Sequence, residues 1–331
     1  MDKKIILDVF AADDPAALLK GAVNAVNEIE GFSFIIPGDP EYISNELKKY
    51  SFKENRIEIL AAESVIGNNE KPAEAILNKR DSSLVKGVFE LKENSSAIGM
   101  ISAGNTGALM AACAAFLGRL KGVAFPALAT FLPSTAENYV CLADCGAIVD
   151  AAPKQLCTFG ILASALYGAT YDVAAPKVGL LNIGAEKEKG NALTKEAYKL
   201  LSEAPVNFAG NIEARDVLAG VCDVIVCDGF AGNMVLKSIE GCARFMVKLF
   251  ITSMKTRLNK EKDKIADVAA DVMSQTDLSS LAGAIVIGVN KPVIKAHGNS
   301  NEKTIPNAVR QLLKLSEANV IEKTQALINN L

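Results

Sequence analysis

MDKKIILDVFAADDPAALLKGAVNAVNEIEGFSFIIPGDP, residues 1–40, decides the fold. Ile5 to Phe10, apolar but for Asp8, is closed by Ala11-Ala12-Asp13 and reads as a strand. Asp14-Pro15 then supplies an N-cap with proline at the first helical position. The following segment, to about Glu30, repeats Leu18, Leu19, Ala22, Val23 and Val26 at helical spacing. Phe32 to Pro37 is a second strand, Asp39-Pro40 opens a second helix by the same device, and Arg56 to Ala61 is a third strand. A βαβαβ start predicts parallel strands joined by right-handed crossovers.

The rest of the chain fits that beginning. Its 331 residues are 50% apolar but only 6% aromatic, with no Trp, so the core is built from Ala, Val, Ile and Leu. We expect one α/β domain over 1–331, with a helical excursion at about 241–280. A net charge of −3 argues against general nucleic-acid binding. The seven cysteines sit in apolar segments without a CxxC pair, which fits reduced, buried thiols and a cytoplasmic protein. Cys141 and Cys145 flank Asp144, but one histidine in the whole chain makes a metal site there a poor expectation. Met1 to Lys4 is charged too early for a signal peptide, and no run approaches the roughly 20 apolar residues of a membrane span.

Beyond the third strand, the pattern repeats with polar strand ends. Ala97 to Ser102 is a strand, followed by Ala103-Gly104-Asn105-Thr106-Gly107 and an Ala-rich helix to about Leu117, capped by Asn105 or Thr106. Ala127 to Leu132 and Tyr139 to Ala143 read as a hairpin that ends at Asp144-Cys145-Gly146. The stretch KVGLLNIGAEKEKGN, 177–191, is a strand running out through Gly184, Lys187, Lys189, Gly190 and Asn191 into a helix start. Free backbone N–H groups, a helix dipole and nearby ammonium groups suit an anion. Val224 to Cys227 leads into Asp228-Gly229-Phe230-Ala231-Gly232-Asn233, and Ala284 to Val289 and Pro292 to Ala296 deliver His297-Gly298-Asn299-Ser300 to a last helix.

Five strand ends, near 104, 145, 184, 229 and 298, therefore pair glycine with amides, carboxylates or hydroxyls, and we expect them to share one polar cleft. No G-x-G-x-x-G follows the first strand, and neither a P-loop nor a G-x-S-x-G occurs. Between Arg244 and Lys264 lie seven basic and two acidic residues, a solvated helix pair or a docking face for an acidic partner or anionic lipid.

SAGNTGALMAA (102–112), GLLNIGAEKEKGN (179–191), NFAGNIEARD (207–216), VCDGFAGNMVLK (226–237) and IKAHGNS (294–300) closely resemble, in order and spacing, the bacterial phosphate acyltransferases of glycerolipid synthesis, the PlsX family. That resemblance implies transfer of a fatty acyl group from acyl carrier protein to inorganic phosphate. It implies a three-layer Rossmann-like, mostly parallel sheet of the phosphotransacetylase and isopropylmalate dehydrogenase kind. It also implies a cytoplasmic homodimer without a cofactor, in peripheral contact with the inner face of the membrane. Carried onto this sequence, Lys189, Asn233 and His297 become catalytic candidates. Gly104, Asn105, Thr106, Gly184, Gly190 and Asn191 become phosphate-binding candidates, with Asp8, Asp144 and Asp228 elsewhere in the cleft. Lys255, Arg257 and Lys260 are candidates for docking the acidic carrier.

Three stretches depart from the family pattern. Asp8-Val9-Phe10-Ala11-Ala12-Asp13 stands where the family has Asp-Ala-Met-Gly-Gly-Asp, so two glycines that would permit φ > 0 are lost. Leu281-Ala282-Gly283-Ala284-Ile285 replaces a Tyr-Gly-Gly-Ala-Pro, and the helical excursion is more polar. The competing readings are an acyltransferase using coenzyme A, a diverged copy that binds carrier protein without turnover, and an NAD-linked dehydrogenase of the same sheet type.

Overall fold

In the computed structural model, which describes residues 3–136, 138–257, 268, 283–298 and 300–329, the Asp14 carboxylate accepts the Ala17 N–H and starts α1, Pro15–Glu28. That helix links β1, Lys3–Asp8, to β2, Phe32–Gly38, and Asp39 caps α2, Pro40–Leu47, before β3, Ile57–Ala61. The opening unit is thus the one expected, with β1 ending two residues earlier because Val9 and Phe10 turn out of the ladder.

The segment after β3 holds α3, Pro72–Asn78, a helix the polar composition concealed, then α4, Ser83–Glu93, and β4, Ala97–Ser102. Next, α5, Thr106–Ala112, passes into a π-helical turn over Cys113–Leu117. β5, Ala127–Pro133, and β6, Tyr139–Ala143, form the hairpin, and α6, Pro153–Tyr171, leads to β7, Lys177–Asn182. After α7, Ala192–Glu203, come β8, Asn207–Glu213, and β9, Val224–Val226; β8 went unread because its Asn, Ala and Gly residues carry little strand signal. α8, Gly229–Arg257, is one unbroken helix that runs through Gly241 into the start of the expected excursion. Most of the expected excursion beyond Arg257 lies outside the described residues. β10, Ala284–Ile287, and β11, Val293–Lys295, precede α9, Thr304–Glu317, and α10, Val320–Ile328.

All eleven strands join one sheet in the order β3-β2-β1-β4-β11-β10-β5-β6-β9-β7-β8. The pairings of β10 with β11 and with β5, and of β5 with β6, are antiparallel, and the others are parallel. Direction therefore reverses across the centre. The carboxyl ends of β1, β4 and β11 leave one edge of the sheet, and those of β6, β9 and β7 leave the other.

Alternation along each strand divides the core. Ile5, Leu7, Phe32 and Phe34 pack with α1, α2, α6, α7, α9 and α10, while Ile6, Ile35, Met100 and Ile225 pack with α3, α4, α5 and α8. The result is helix, sheet, helix. Among the described residues no helix is long and apolar enough to cross a membrane. All seven cysteines are free, and burial pushes the Cys113 and Cys141 thiols up to about 12.

One departure from the family pattern has a local consequence. Ala11 sits at φ 63°, held there as its carbonyl accepts the Asn68 Nδ2–H. A Cβ in that region costs roughly 1–2 kcal/mol, offset in part by the extra freedom glycine has when unfolded. Ala11→Gly is therefore expected to stabilise by about 0.5–1 kcal/mol, measured as a higher midpoint in urea with an unchanged slope.

Candidate active site

At the ends of β1, β4 and β11, a polar group lies beneath the Gly104 turn. Asp8 is fully buried and accepts hydrogen bonds from Ser83 Oγ and Ser102 Oγ, both 2.8 Å. Ser102 Oγ also accepts the Gly104 N–H at 3.2 Å. The Lys295 ammonium is buried beside them and donates to the Ala296 carbonyl. Burial raises the Asp8 carboxyl to about 6 and lowers the Lys295 ammonium to about 8, each partly countered by the other's charge. Asn105 is a structural cap: its Oδ1 accepts the Ala108 N–H, and its Nδ2 donates to the Gly67 and Asn68 carbonyls. Thr106 is half-buried at the first position of α5. His297 is half-buried just after β11, and the neighbouring Gly298 carbonyl accepts the Asp13 N–H at 2.9 Å.

The second group lies at the ends of β6, β9 and β7, which are adjacent. Asn182 and Asn211, an amide pair not singled out from sequence, build the loop after β7. Asn182 Nδ2 donates to Asn211 Oδ1 and to the Lys189 carbonyl, and Asn211 Nδ2 donates to the Glu186 carbonyl. Gly190 is required where it stands: its φ is 100°, and a Cβ would fall 2.0 Å from Thr194 Oγ1. Asn191 caps α7 through the Thr194 N–H. Fixed this way, the Gly184–Asn191 loop presents the Lys189 side chain to solvent.

Beside it, Asp228 caps α8 by accepting the Ala231 N–H at 2.7 Å. Asp144 is fully buried, and its carboxylate accepts N–H groups from Leu128, Gly146, Ala147 and Ile148 at 2.7–3.1 Å. Burial still raises its pKa. Asn233, in the first turns of α8, lies against Gly146. The contrast within the group is chemical. Asn191, Asp228 and Asp144 are engaged with backbone, whereas the Lys189 ammonium and the Asn233 amide make no hydrogen bond or ion pair among the described residues. Of the carrier-docking candidates, Lys255 and Arg257 end α8 with undescribed side chains, and Lys260 lies outside the described residues.

The twelve described candidates thus fall into two groups at the ends of oppositely directed strands, and the β5–β6 hairpin is where chain direction reverses. Among the described residues, no three of His, Cys, Asp or Glu are arranged to hold a metal ion.

Comparison with known proteins follows the same lines. Residues 3–323 match the family model described as "Fatty acid synthesis protein". The phosphate acyltransferase of Clostridium acetobutylicum is 41% identical over 331 residues, covering 99% of both chains. That of Halothermothrix orenii is 40% identical over 333 residues, covering 98% of both. In fold, the chain is similar to a phosphotransacetylase from Streptococcus pyogenes (TM-score 0.64, 18% identity, 97% of this chain and 94% of that one). A branched-chain phosphotransacylase from Enterococcus faecalis V583 is also similar (TM-score 0.59, 12% identity, 95% and 99%). The chain belongs to the fatty acid synthesis protein family, the PlsX phosphate acyltransferases, and is an acyltransferase.

Proposed function

We propose that this acyltransferase moves a fatty acyl group from acyl carrier protein to inorganic phosphate, giving acyl phosphate. The observation that carries the reading is the pairing of one unengaged ammonium, Lys189, with one unengaged amide, Asn233, at neighbouring strand ends. Phosphate is already an anionic nucleophile at neutral pH. Its oxygen attacks the thioester carbonyl, a C–O bond forms, and the C–S bond breaks. The departing thiolate, with a pKa near ~8.5, then takes a proton from solvent. Such a reaction needs positioning and charge, with no further nucleophile from the protein. In this mechanism Lys189 holds the phosphate, and the Asn233 Nδ2–H donates to the oxyanion that forms at the thioester carbon.

The two sheet-edge groups are proposed to face each other. A twist of roughly 20–25° per strand pair turns β9 by about 120–150° relative to β1 across the six intervening pairings. Antiparallel directions then come close to parallel, and both sets of strand ends look over the short central strands. The Gly104–Thr106 turn and His297 would line the far wall of that cleft, within reach of the acyl thioester.

The experiment supplies purified protein with phosphate and either a long-chain acyl carrier protein or the same acyl chain on coenzyme A. Acyl phosphate from the carrier substrate at much the higher kcat/KM is the expected result. Preference for coenzyme A overturns the donor assignment, and phosphate binding without turnover supports the reading of a diverged binding protein.

A homodimer is proposed through α8. Phe245 is 63% exposed, Met246 54%, Leu249 49% and Phe250 42%, an i, i+4 apolar stripe with no partner among the described residues. The basic end of the helix, toward Lys255, Arg257 and Lys260, is left for the acidic carrier or an anionic membrane surface. Phe245→Glu with Leu249→Glu is expected to halve the mass measured by light scattering. An unchanged mass removes α8 from the interface.

A further inference from the structure

We propose that Asp144 is a positioning residue for the Asn233 amide, its carboxylate acting as an internal anion that seats the first turns of α8. This rests on the role given above to Asn233. The carboxylate fills a nest made by the Gly146, Ala147 and Ile148 N–H groups, and it also accepts the Leu128 N–H from β5. The turn so fixed is the surface on which α8 begins. The Ile148 carbonyl accepts the Gly229 N–H at 2.8 Å, and a Cβ on Gly146 would lie 3.7–3.8 Å from Cβ, Cγ and Oδ1 of Asn233.

The main chain of Asp144 makes the same connection from below. Its carbonyl accepts the Cys227 thiol at 3.4 Å, and its N–H donates to the Cys227 carbonyl at 3.0 Å. The helix rests so closely on this residue that a Cβ on Gly232 would come within 1.9 Å of the Asp144 carbonyl oxygen, and one on Gly229 within 2.8 Å of its Oδ2. One buried residue therefore joins β5, β6, the 145–148 turn and the helix that carries Asn233.

The arrangement also accounts for the use of a side-chain amide. Three successive backbone N–H groups at a strand end would ordinarily be ready to receive an oxyanion. Here the protein's own carboxylate occupies them, so the donor to the reacting carbonyl comes from Asn233. The energetic logic is that a buried carboxylate needs every one of those hydrogen bonds. It therefore fixes the turn more tightly than a neutral residue would.

The test is a double-mutant cycle on turnover with a long-chain acyl carrier protein and phosphate, both saturating. In Asp144→Asn, the Nδ2 of the new amide faces N–H donors, and the turn must shift. We expect kcat to fall about 10- to 100-fold in the wild-type background but less than about 3-fold in Asn233→Ala, because the group being positioned is gone. Equal falls in both backgrounds would show a general structural effect and overturn the proposal. Gly146→Ala, which places a side chain at φ 136° and so strains the turn that Asn233 rests on, is run in the same cycle and decides the matter should Asp144→Asn not fold. Additivity there likewise overturns it. If Asn233→Ala alone turns over normally, the catalytic role of Asn233 fails, an outcome distinct from an additive cycle in which Asn233 matters and Asp144 does not act through it.

Discussion

Lys189→Ala is expected to lower kcat about 10²–10³-fold and to raise the KM for phosphate, with thermal unfolding unchanged. The side chain is exposed and makes no hydrogen bond or ion pair among the described residues, so its removal leaves no buried group unsatisfied. The loop itself is held by Asn182, Asn211 and Gly190 through the main chain of residues 186–190, which the substitution leaves intact. Its ammonium is the charge in the second group left free to meet an anion, since Asp144 and Asp228 are both engaged by backbone N–H groups. Asn233→Ala is expected to reduce kcat to a similar extent while leaving the phosphate KM near its wild-type value, because its partner develops only as the carbonyl becomes tetrahedral. The two kinetic signatures therefore differ, and that difference is the point of measuring both. Near-normal turnover by Lys189→Ala at saturating phosphate would remove the ammonium from the mechanism. A raised phosphate KM in Asn233→Ala would move the amide from the oxyanion to the nucleophile.

The layers of this fold were legible because their signals are local. Asp14-Pro15 and Asp39-Pro40 announce helix starts by capping chemistry, and the apolar runs 5–10, 32–37, 97–102 and 178–183 fall on strands of a sheet buried on both faces. What escaped was non-local. The reversal of direction at β5–β6 could be read as a hairpin, but its effect on where the later strands end depends on their order in the sheet. The strand over Asn207–Glu213 lacks β-branched density, and its place beside β7 comes from pairing. In the site, residue types were legible and their hydrogen-bond partners were not. Asn105, Asn191 and Asp228 sit at helix starts, where a cap and a ligand group look the same in sequence. Lys295 and the serines around Asp8 were invisible, since Lys295 is one lysine in an otherwise apolar run and the two serines stand 75 and 94 positions from Asp8 in the chain. The loss of glycine at Ala11 is plain in the sequence, and the structure gives it a consequence: the turn keeps its left-handed residue and accepts the strain.

That buried group under the Gly104 turn carries the other large effect. Lys295 is 9% exposed, and burial lowers its ammonium from 10.5 to about 8. Because the folded protein binds this proton less tightly than the unfolded chain, the charge opposes folding at every pH below about 8, and the opposition fades as pH rises toward 10.5. A displacement of that size corresponds to about 3 kcal/mol at most, a net figure that already contains the hydrogen bond to the Ala296 carbonyl. Asp8 works in the opposite sense. Its carboxyl is raised to about 6, so it is neutral in the folded state at pH 5 and ionised at pH 7, where it attracts Lys295. Lys295→Met, which keeps the apolar stem, is therefore expected to stabilise the protein by about 2 kcal/mol at pH 5. The gain should shrink between pH 5 and 7 as Asp8 ionises without a nearby cation, and shrink again above pH 8, where the folded wild-type protein has already shed the proton. Urea unfolding at pH 5, 7 and 9 measures the trend. A variant less stable than wild type at pH 5 would mean that the ammonium holds the 102–107 turn together by more than its one hydrogen bond, and Asp8 would then be ionised well below pH 6. The burial argument would fail at its first step, since a carboxylate sealed beneath two serines keeps its proton unless a cation is close enough to take its place.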